Sequence, residues 1–304
     1  MQLSFASSFT ILAGLIASAD AAPAFHKHHE HVKRSQTCSF PSDDSIVAVT
    51  PKGKNAGWAL HADTACTPGM WCPYACAPGQ LMAQWDPSVT SYSYPGSQYG
   101  GLLCNDDGTL SKGFEDKPLC YDGKGTASVF NNAAKEVAIC QTVLPGNEEM
   151  LIPTVIDASN TEKIAVPGTE YWAQTASHFY VNPPGVSAEE GCVWGSKDNI
   201  TPMGNWSPYV IGANMDDQEN TYVKIGWNPV YFENSSPYKN EKPSFGIKMY
   251  CNDESKCNGN PCEINPSTQG LNKVSGSDSV SDGAAWCVLT ATDKNAVTIE
   301  VFDC

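Results

Sequence analysis

Apolar residues in this chain arrive in short bursts, and no stretch shows a convincing amphipathic-helix rhythm. The bursts are SIVAVTP, GQLMAQW, EVAICQTVLPG, MLIPTVI, EKIAVPG, HFYVNPPG, TYVKIGWNPVYF, FGIKMYC, AAWCVLTAT and AVTIEVFD. Pro, Gly, Asn and Asp turns separate them. Strands punctuated in this way predict a sandwich or a barrel. The expected fold is all-β, a disulfide-rich β-sandwich with long loops. In TYVKIGWNPVYF the apolar positions Tyr222, Ile225, Trp227, Val230 and Phe232 lose strict alternation at Gly226, which predicts a bulge there. Residues 251–283 are polar and turn-rich, and they predict a disulfide-pinned, Cys-rich excursion from the main body.

The first residues have a different pattern. An apolar run from Phe9 to Ala17 is followed by Ala17-Ser18-Ala19 and Ala19-Asp20-Ala21, both suited to signal peptidase. Residues 1–21 are expected to be a secretory signal. Residues 22–34 read as a propeptide ending at the dibasic pair Lys33-Arg34, which leaves 35–304 as a single β-rich domain. The propeptide holds His26, His28, His29 and His31, a tract that could also bind metal. No run reaches the ~20 residues that a membrane-spanning helix needs.

Removing Lys27, Lys33, Arg34, Asp20 and Glu30 with residues 1–34 leaves 15 basic and 31 acidic groups, a net charge of −16. Arg34 is the only arginine. Phosphate recognition favours the forked donors of arginine, and nucleic-acid binding needs a basic footprint. The composition therefore argues against nucleic acid and against anionic membranes, and suits a neutral or cationic partner and an acidic working environment. All 13 cysteines fall after residue 34, so in a secreted chain disulfides are expected before metals. An odd count leaves one thiol over, and the last residue, Cys304, is the expected one. Cys66, Cys72 and Cys76 follow C-x5-C-x3-C, with Cys104 further on. Only the x3 gap suits a zinc knuckle. These four are expected in disulfides that tie CTPGMWCPYAC to GQLMAQW. No cofactor and no metal is expected. Sequons at Asn199, Asn205 and Asn234 are candidate glycosylation sites.

No G-x-S-x-G elbow is present, and only His61 and His178 remain outside the propeptide, which sets serine-hydrolase chemistry aside. Carboxylates and aromatics remain. The eight Trp lie at 58, 71, 85, 172, 194, 206, 227 and 286, several beside acids or polar turns. Aromatic rings accept the apolar faces of sugars, and glycoside hydrolysis uses two carboxyl groups. Trp85, Trp172, Trp206 and Trp227 are the candidate substrate-binding residues. Asp86, Asp216 and Glu170 are the candidate catalytic acids. Most Trp in a sandwich pack the core and most acids are solvated, so five or six of the eight indoles are assigned to packing.

The strings CTPGMWCPYACAPGQLMAQWDP, CQTVLPGNEEMLIPT, HFYVNPPGVS, GNWSPYVIGAN, TYVKIGWNPVYF and CNGNPCEINPS resemble the fungal SUN family of secreted cell-wall proteins, over about Cys38 to Asp303. The cysteines of C-x5-C-x3-C and the QWDP string carry over. The Ser/Thr-rich region that often precedes the domain is absent. The resemblance implies a β-glucosidase-type glycoside hydrolase acting on cell-wall β-1,3-glucan in wall remodelling, septation and cell separation. It also implies the alternative of a non-catalytic β-glucan-binding protein that organises the wall. It supplies no catalytic pair.

Overall fold

Two facing sheets account for most of the apolar bursts. The computed structural model describes residues 37–50, 52–91, 100–142, 151–195, 203–276 and 279–304. The expected signal at 1–21, the propeptide at 22–34 and Asn199 lie outside the described residues. The larger sheet has eight strands. In spatial order they are Leu151–Ile156, Val137–Thr142, Ser177–Val181, Tyr209–Met215, Thr221–Trp227, Ala284–Ala291 and Cys257–Asn258, with Ser279–Ser281 also paired to Ala284–Ala291. Every pairing in it is antiparallel. The smaller sheet runs Thr161–Lys163, Ala127–Asn132, Val297–Asp303, Phe245–Cys251 and Cys262–Ile264. Within it Val297–Asp303 lies parallel to Ala127–Asn132.

The period-2 pattern explains which faces meet. Tyr209, Ile211, Ala213 and Met215 are buried and alternate with half-buried residues along one strand. Their side chains point to the same face of the pleat. The opposing strand buries Phe245, Ile247, Met249 and Cys251. The Tyr209 hydroxyl donates to the Phe245 carbonyl at 2.7 Å, and the two rings lie 4.9 Å apart. The Cys262–Cys287 disulfide fastens one sheet to the other. The expected all-β, disulfide-rich sandwich is therefore observed.

The bulge expected at Gly226 is not formed. Gly226 pairs with Val210 on one side and Trp286 on the other without interruption. The glycine has a packing cause instead: a Cβ there would stand 2.8 Å from the Cβ of Trp286. After Trp227 the same burst leaves the sheet as a 3-10 turn, Pro229–Phe232, capped by the side chain of buried Asn228.

Residues 38–122 form small ladders: Ile46–Val47 with Ala75–Cys76, Gln80–Met82 with Cys120–Asp122, and Trp71–Cys72 with Leu102–Cys104, which also pairs Leu110–Lys112. Ladders of two or three residues do not hold themselves together in water. Here Cys38–Cys104, Cys66–Cys72 and Cys76–Cys120 staple them. The last of these ties CTPGMWCPYAC to the strand beside Gln80–Met82, one ladder away from the expected attachment. The sulfurs of Cys38, Cys66 and Cys104 cluster within 4.8 Å, but all three are consumed in disulfides. Cys140–Cys192 and Cys251–Cys257 complete the set, and Cys304 is free and exposed, as expected. Residues 251–283 hold the Cys251–Cys257 disulfide and Cys262, and they supply Cys257–Asn258 and Ser279–Ser281 to the larger sheet and Cys262–Ile264 to the smaller one.

Candidate functional site

A cleft of about 700 Å³ opens between the segment that follows Gln80–Met82, the 117–121 stretch and the 170–174 loop. Its building begins with QWDP. Gln84 is fully buried, an amide in an otherwise apolar burst. Its Nε2 donates to the carbonyls of Phe114, Lys117 and Pro118, and its Oε1 accepts from the Phe114 amide. One side chain thereby fixes the loop that supplies Lys117 and Pro118 to the cleft wall. Trp85 follows and forms the floor. Its ring stacks on Trp172 with centroids 5.6 Å apart and planes 29° apart. The Trp172 Nε1 donates to the backbone carbonyl of Asp86 at 2.7 Å.

The opposite wall is the turn Trp172–Gln174. Ala173 and Gln174 both hold left-handed φ, at 51° and 54°. Such residues cost on the order of 1–3 kcal/mol each and persist where the surroundings impose them. The turn closes through Gln174 N to Tyr171 O and Thr175 N to Trp172 O. It aims Tyr171, Trp172 and Gln174 into the cleft.

Glu170 is the only carboxylate among the described lining residues. It pairs with Lys124 at 2.7 Å. Partial burial raises its pKa, but the Lys124 hydrogen bond and charge outweigh this and hold the carboxyl below its usual value. Burial, assisted by the Glu170 charge, pushes the Tyr121 phenol up, and burial does the same for Tyr171. Both phenols are therefore neutral hydrogen-bonding groups. The cleft is lined by two stacked, largely buried indoles that show it only their edges, by the buried Tyr171, by the half-buried Tyr121 and by one ionised carboxylate. That set can hold an apolar sugar face and bond its hydroxyls.

The remaining candidates sit as follows. Asp86 flanks the cleft, but its carboxylate accepts from the Ser88 hydroxyl and amide, which hold its pKa low. Asp216 lies in the turn between Tyr209–Met215 and Thr221–Trp227. It accepts from the amides of Gln218 and Asn220, from the Asn220 side chain and from the Tyr222 hydroxyl, and it does not line the cleft. Trp206 and Trp227 are buried outside the cleft, and Trp227 donates to the Lys273 carbonyl. The structure thus brings together Trp85, Trp172 and Glu170 of the seven candidates, with Asp86 at the margin. Five of the eight indoles, those of Trp58, Trp85, Trp172, Trp206 and Trp227, are buried. Asn205 is also buried, its amide bonded to Gly195 N and O, whereas Asn234 is exposed. Sequence reasoning missed Gln84, Lys124, Tyr121 and Tyr171. An amide beside a tryptophan at the end of an apolar burst was the one available signal.

Comparison with known proteins decides the family. A family model described as "Beta-glucosidase (SUN family)" matches residues 33–289. The chain belongs to the SUN family. It is 58% identical over 280 residues to the uncharacterized protein YMR244W of Saccharomyces cerevisiae, covering 91% of this chain and 78% of that one. It is 49% identical over 267 residues to the probable secreted beta-glucosidase adg3 of Schizosaccharomyces pombe, covering 88% of this chain but only 23% of that one. It is 35% identical over 265 residues to the probable secreted beta-glucosidase UTH1 of S. cerevisiae, covering 82% and 68%. This SUN-family chain is a secreted protein. No helix among its described residues is long and apolar enough to cross a membrane.

Proposed function

We propose that this SUN-family protein is a secreted glycosidase of the fungal cell wall. It takes a β-1,3-glucan chain into the Trp85–Trp172 cleft and acts in wall remodelling and cell separation at septation. The observation that carries this reading is the stacked indole pair beside an ionised Glu170 in one cleft. A neutral polymer suits a chain with a net charge of −15. In this reading Glu170 is the carboxylate that faces the reacting sugar carbon, as nucleophile or base, and Lys124 keeps it charged.

One observation favours a second reading, binding without hydrolysis. Glycoside hydrolysis requires a second carboxyl, held protonated. Among the described residues the cleft lining offers only Glu170, and its pKa lies below the usual value.

A single comparison separates the two. Sugar release from laminarin and retention on insoluble β-1,3-glucan are measured for the native protein, Glu170→Gln and Trp172→Ala. Hydrolysis through this cleft requires that Glu170→Gln loses release, by 100-fold or more on the scale of general acid–base effects, while remaining bound. Retention by the native protein with no product supports the binding reading. Undiminished release from both variants removes the cleft from either account.

A further inference from the structure

The outer face of the eight-stranded sheet carries a second concavity, of about 310 Å³, which shares no lining residue with the Trp85–Trp172 cleft. Strand register builds it. His178, Gly212 and Lys224 stand side by side on three adjacent strands. Tyr180 and Val210 form the next cross-strand pair on the same face. Thr142 joins them from the neighbouring strand.

Two independent features show a place prepared for an occupant. The first is Thr142, which is 4% exposed and whose Oγ1 has no hydrogen-bond partner among the described residues. A buried hydroxyl left unbonded destabilises a fold, and native proteins rarely keep one without a reason. The second is Gly212. Glycine inside a strand weakens it. Here nothing in the backbone or the packing demands glycine. Its φ is not left-handed, and a Cβ would meet only Lys224 Cβ and Ser177 O, both at 3.9 Å. What the missing side chain provides is an open floor between His178 and Lys224.

The groups around that floor suit a flat, uncharged, hydroxyl-rich ligand. Tyr180 and His178 offer ring surfaces, and Thr142 Oγ1 and the imidazole offer bonds to hydroxyls. Partial desolvation on the sheet, with the Lys224 charge, pushes the His178 pKa down, which favours the neutral ring, and a neutral ring both donates and accepts. An anion is disfavoured. The chain carries a net charge of −15, and the Lys224 ammonium already sits 4.3 Å from the centre of the Trp286 ring.

We infer that the trough formed by Thr142, His178, Tyr180, Val210, Gly212 and Lys224 is a second saccharide-binding site that holds a short stretch of β-1,3-glucan. The inference rests on glucan being the polymer handled at the cleft. Two sites on one long polymer raise retention beyond the affinity of either, because the second contact forms at high effective concentration.

The test is residue-resolved. Isotope-labelled secreted protein is titrated with laminarihexaose, following the Gly212 amide and the His178 ring for the trough and the Trp172 indole for the cleft. The expected result is saturable shifts at Gly212 and His178. Gly212→Val fills the floor, its Cβ meeting nothing closer than 3.9 Å, and abolishes the His178 shift in a protein that still melts cooperatively. Thr142→Val, close to isosteric, weakens the trough about five-fold, the value of one hydrogen bond, and carries the test should Gly212→Val not fold. The inference is overturned by silence at Gly212 and His178 at millimolar sugar. A His178 shift of native affinity in Gly212→Val overturns it too, as does a response to inorganic phosphate without one to laminarihexaose. Silence at Trp172 alone defeats the cleft reading and leaves the trough standing.

Discussion

The indole N–H of Trp172 donates to the main-chain carbonyl of Asp86 at 2.7 Å, across a sequence separation of 86 residues. This bond joins the disulfide-stapled N-terminal ladders to the loop that leads into the large sheet. The cleft therefore acts as one unit: its floor and wall cannot separate without breaking the bond and unstacking Trp85 from Trp172. Replacement by Phe keeps an aromatic ring and removes the donor. Trp172→Phe should lose about 1 kcal/mol, a fall in Tm of about 2–4 °C for a domain of this size, and should weaken retention on laminarin. Differential scanning calorimetry beside a pull-down checks both. A native melting point would mean that the bond does not couple the two parts.

Gln84 concentrates four hydrogen bonds in one buried amide. Gln84→Leu keeps the approximate volume and abandons three carbonyls and one amide. The expected loss is about 3 kcal/mol, read as a lower urea midpoint at unchanged slope. Hydrogen exchange at the Phe114 amide should speed up more than exchange in Tyr209–Met215.

Lys124 governs the charge of Glu170. The folded-state pKa of Glu170 is depressed, so the stability contributed by the pair is present above the ordinary carboxylate pKa and lost as pH falls through the depressed value. Removing the cation raises that pKa. In Lys124→Met the acid limb of the pH–rate profile on laminarin should therefore move to higher pH. Its Tm should trail the native protein near neutrality and converge with it in acid. An acid limb that stays in place would show that ionised Glu170 does not set it.

Glycan attachment should follow exposure. Peptide mapping of the secreted protein should find sugar at Asn234 and an unmodified Asn205, whose amide is bonded to Gly195 on a buried 3-10 turn. Occupancy at Asn205 would require that turn to open.

Most of the sheet architecture was readable because one face of each strand is buried and the period shows. FGIKMYC became Phe245–Cys251 with no residue to spare, and AVTIEVFD became Val297–Asp303. EKIAVPG was read less well: only Thr161–Lys163 pairs, and Ile164 to Val166 are buried as an irregular segment. Apolar content marks burial there, not backbone pairing. At the site, Trp85 and Glu170 were legible from their neighbours, but their meeting was not. It depends on the Trp172 bond and on the Gln84 anchor, which are long-range contacts without a local signature. Trp206 and Trp227 stood out only for nearby polar turns, where Trp172 stood beside an acid, and both are packed inside, because proximity to a polar turn does not say which way an indole faces.

The parallel pairing of Val297–Asp303 with Ala127–Asn132 also has a kinetic consequence. Asn132 and its partner Glu300 stand 168 residues apart in the chain. The smaller sheet has a gap at its centre until that late strand has been synthesised and threaded between Ala127–Asn132 and Phe245–Cys251. Closing so large a loop is entropically slow, and unpaired strand edges invite aggregation in the meantime. Yield from a secreting host should therefore be limited by how long the nascent domain waits, half-built, for its last strand.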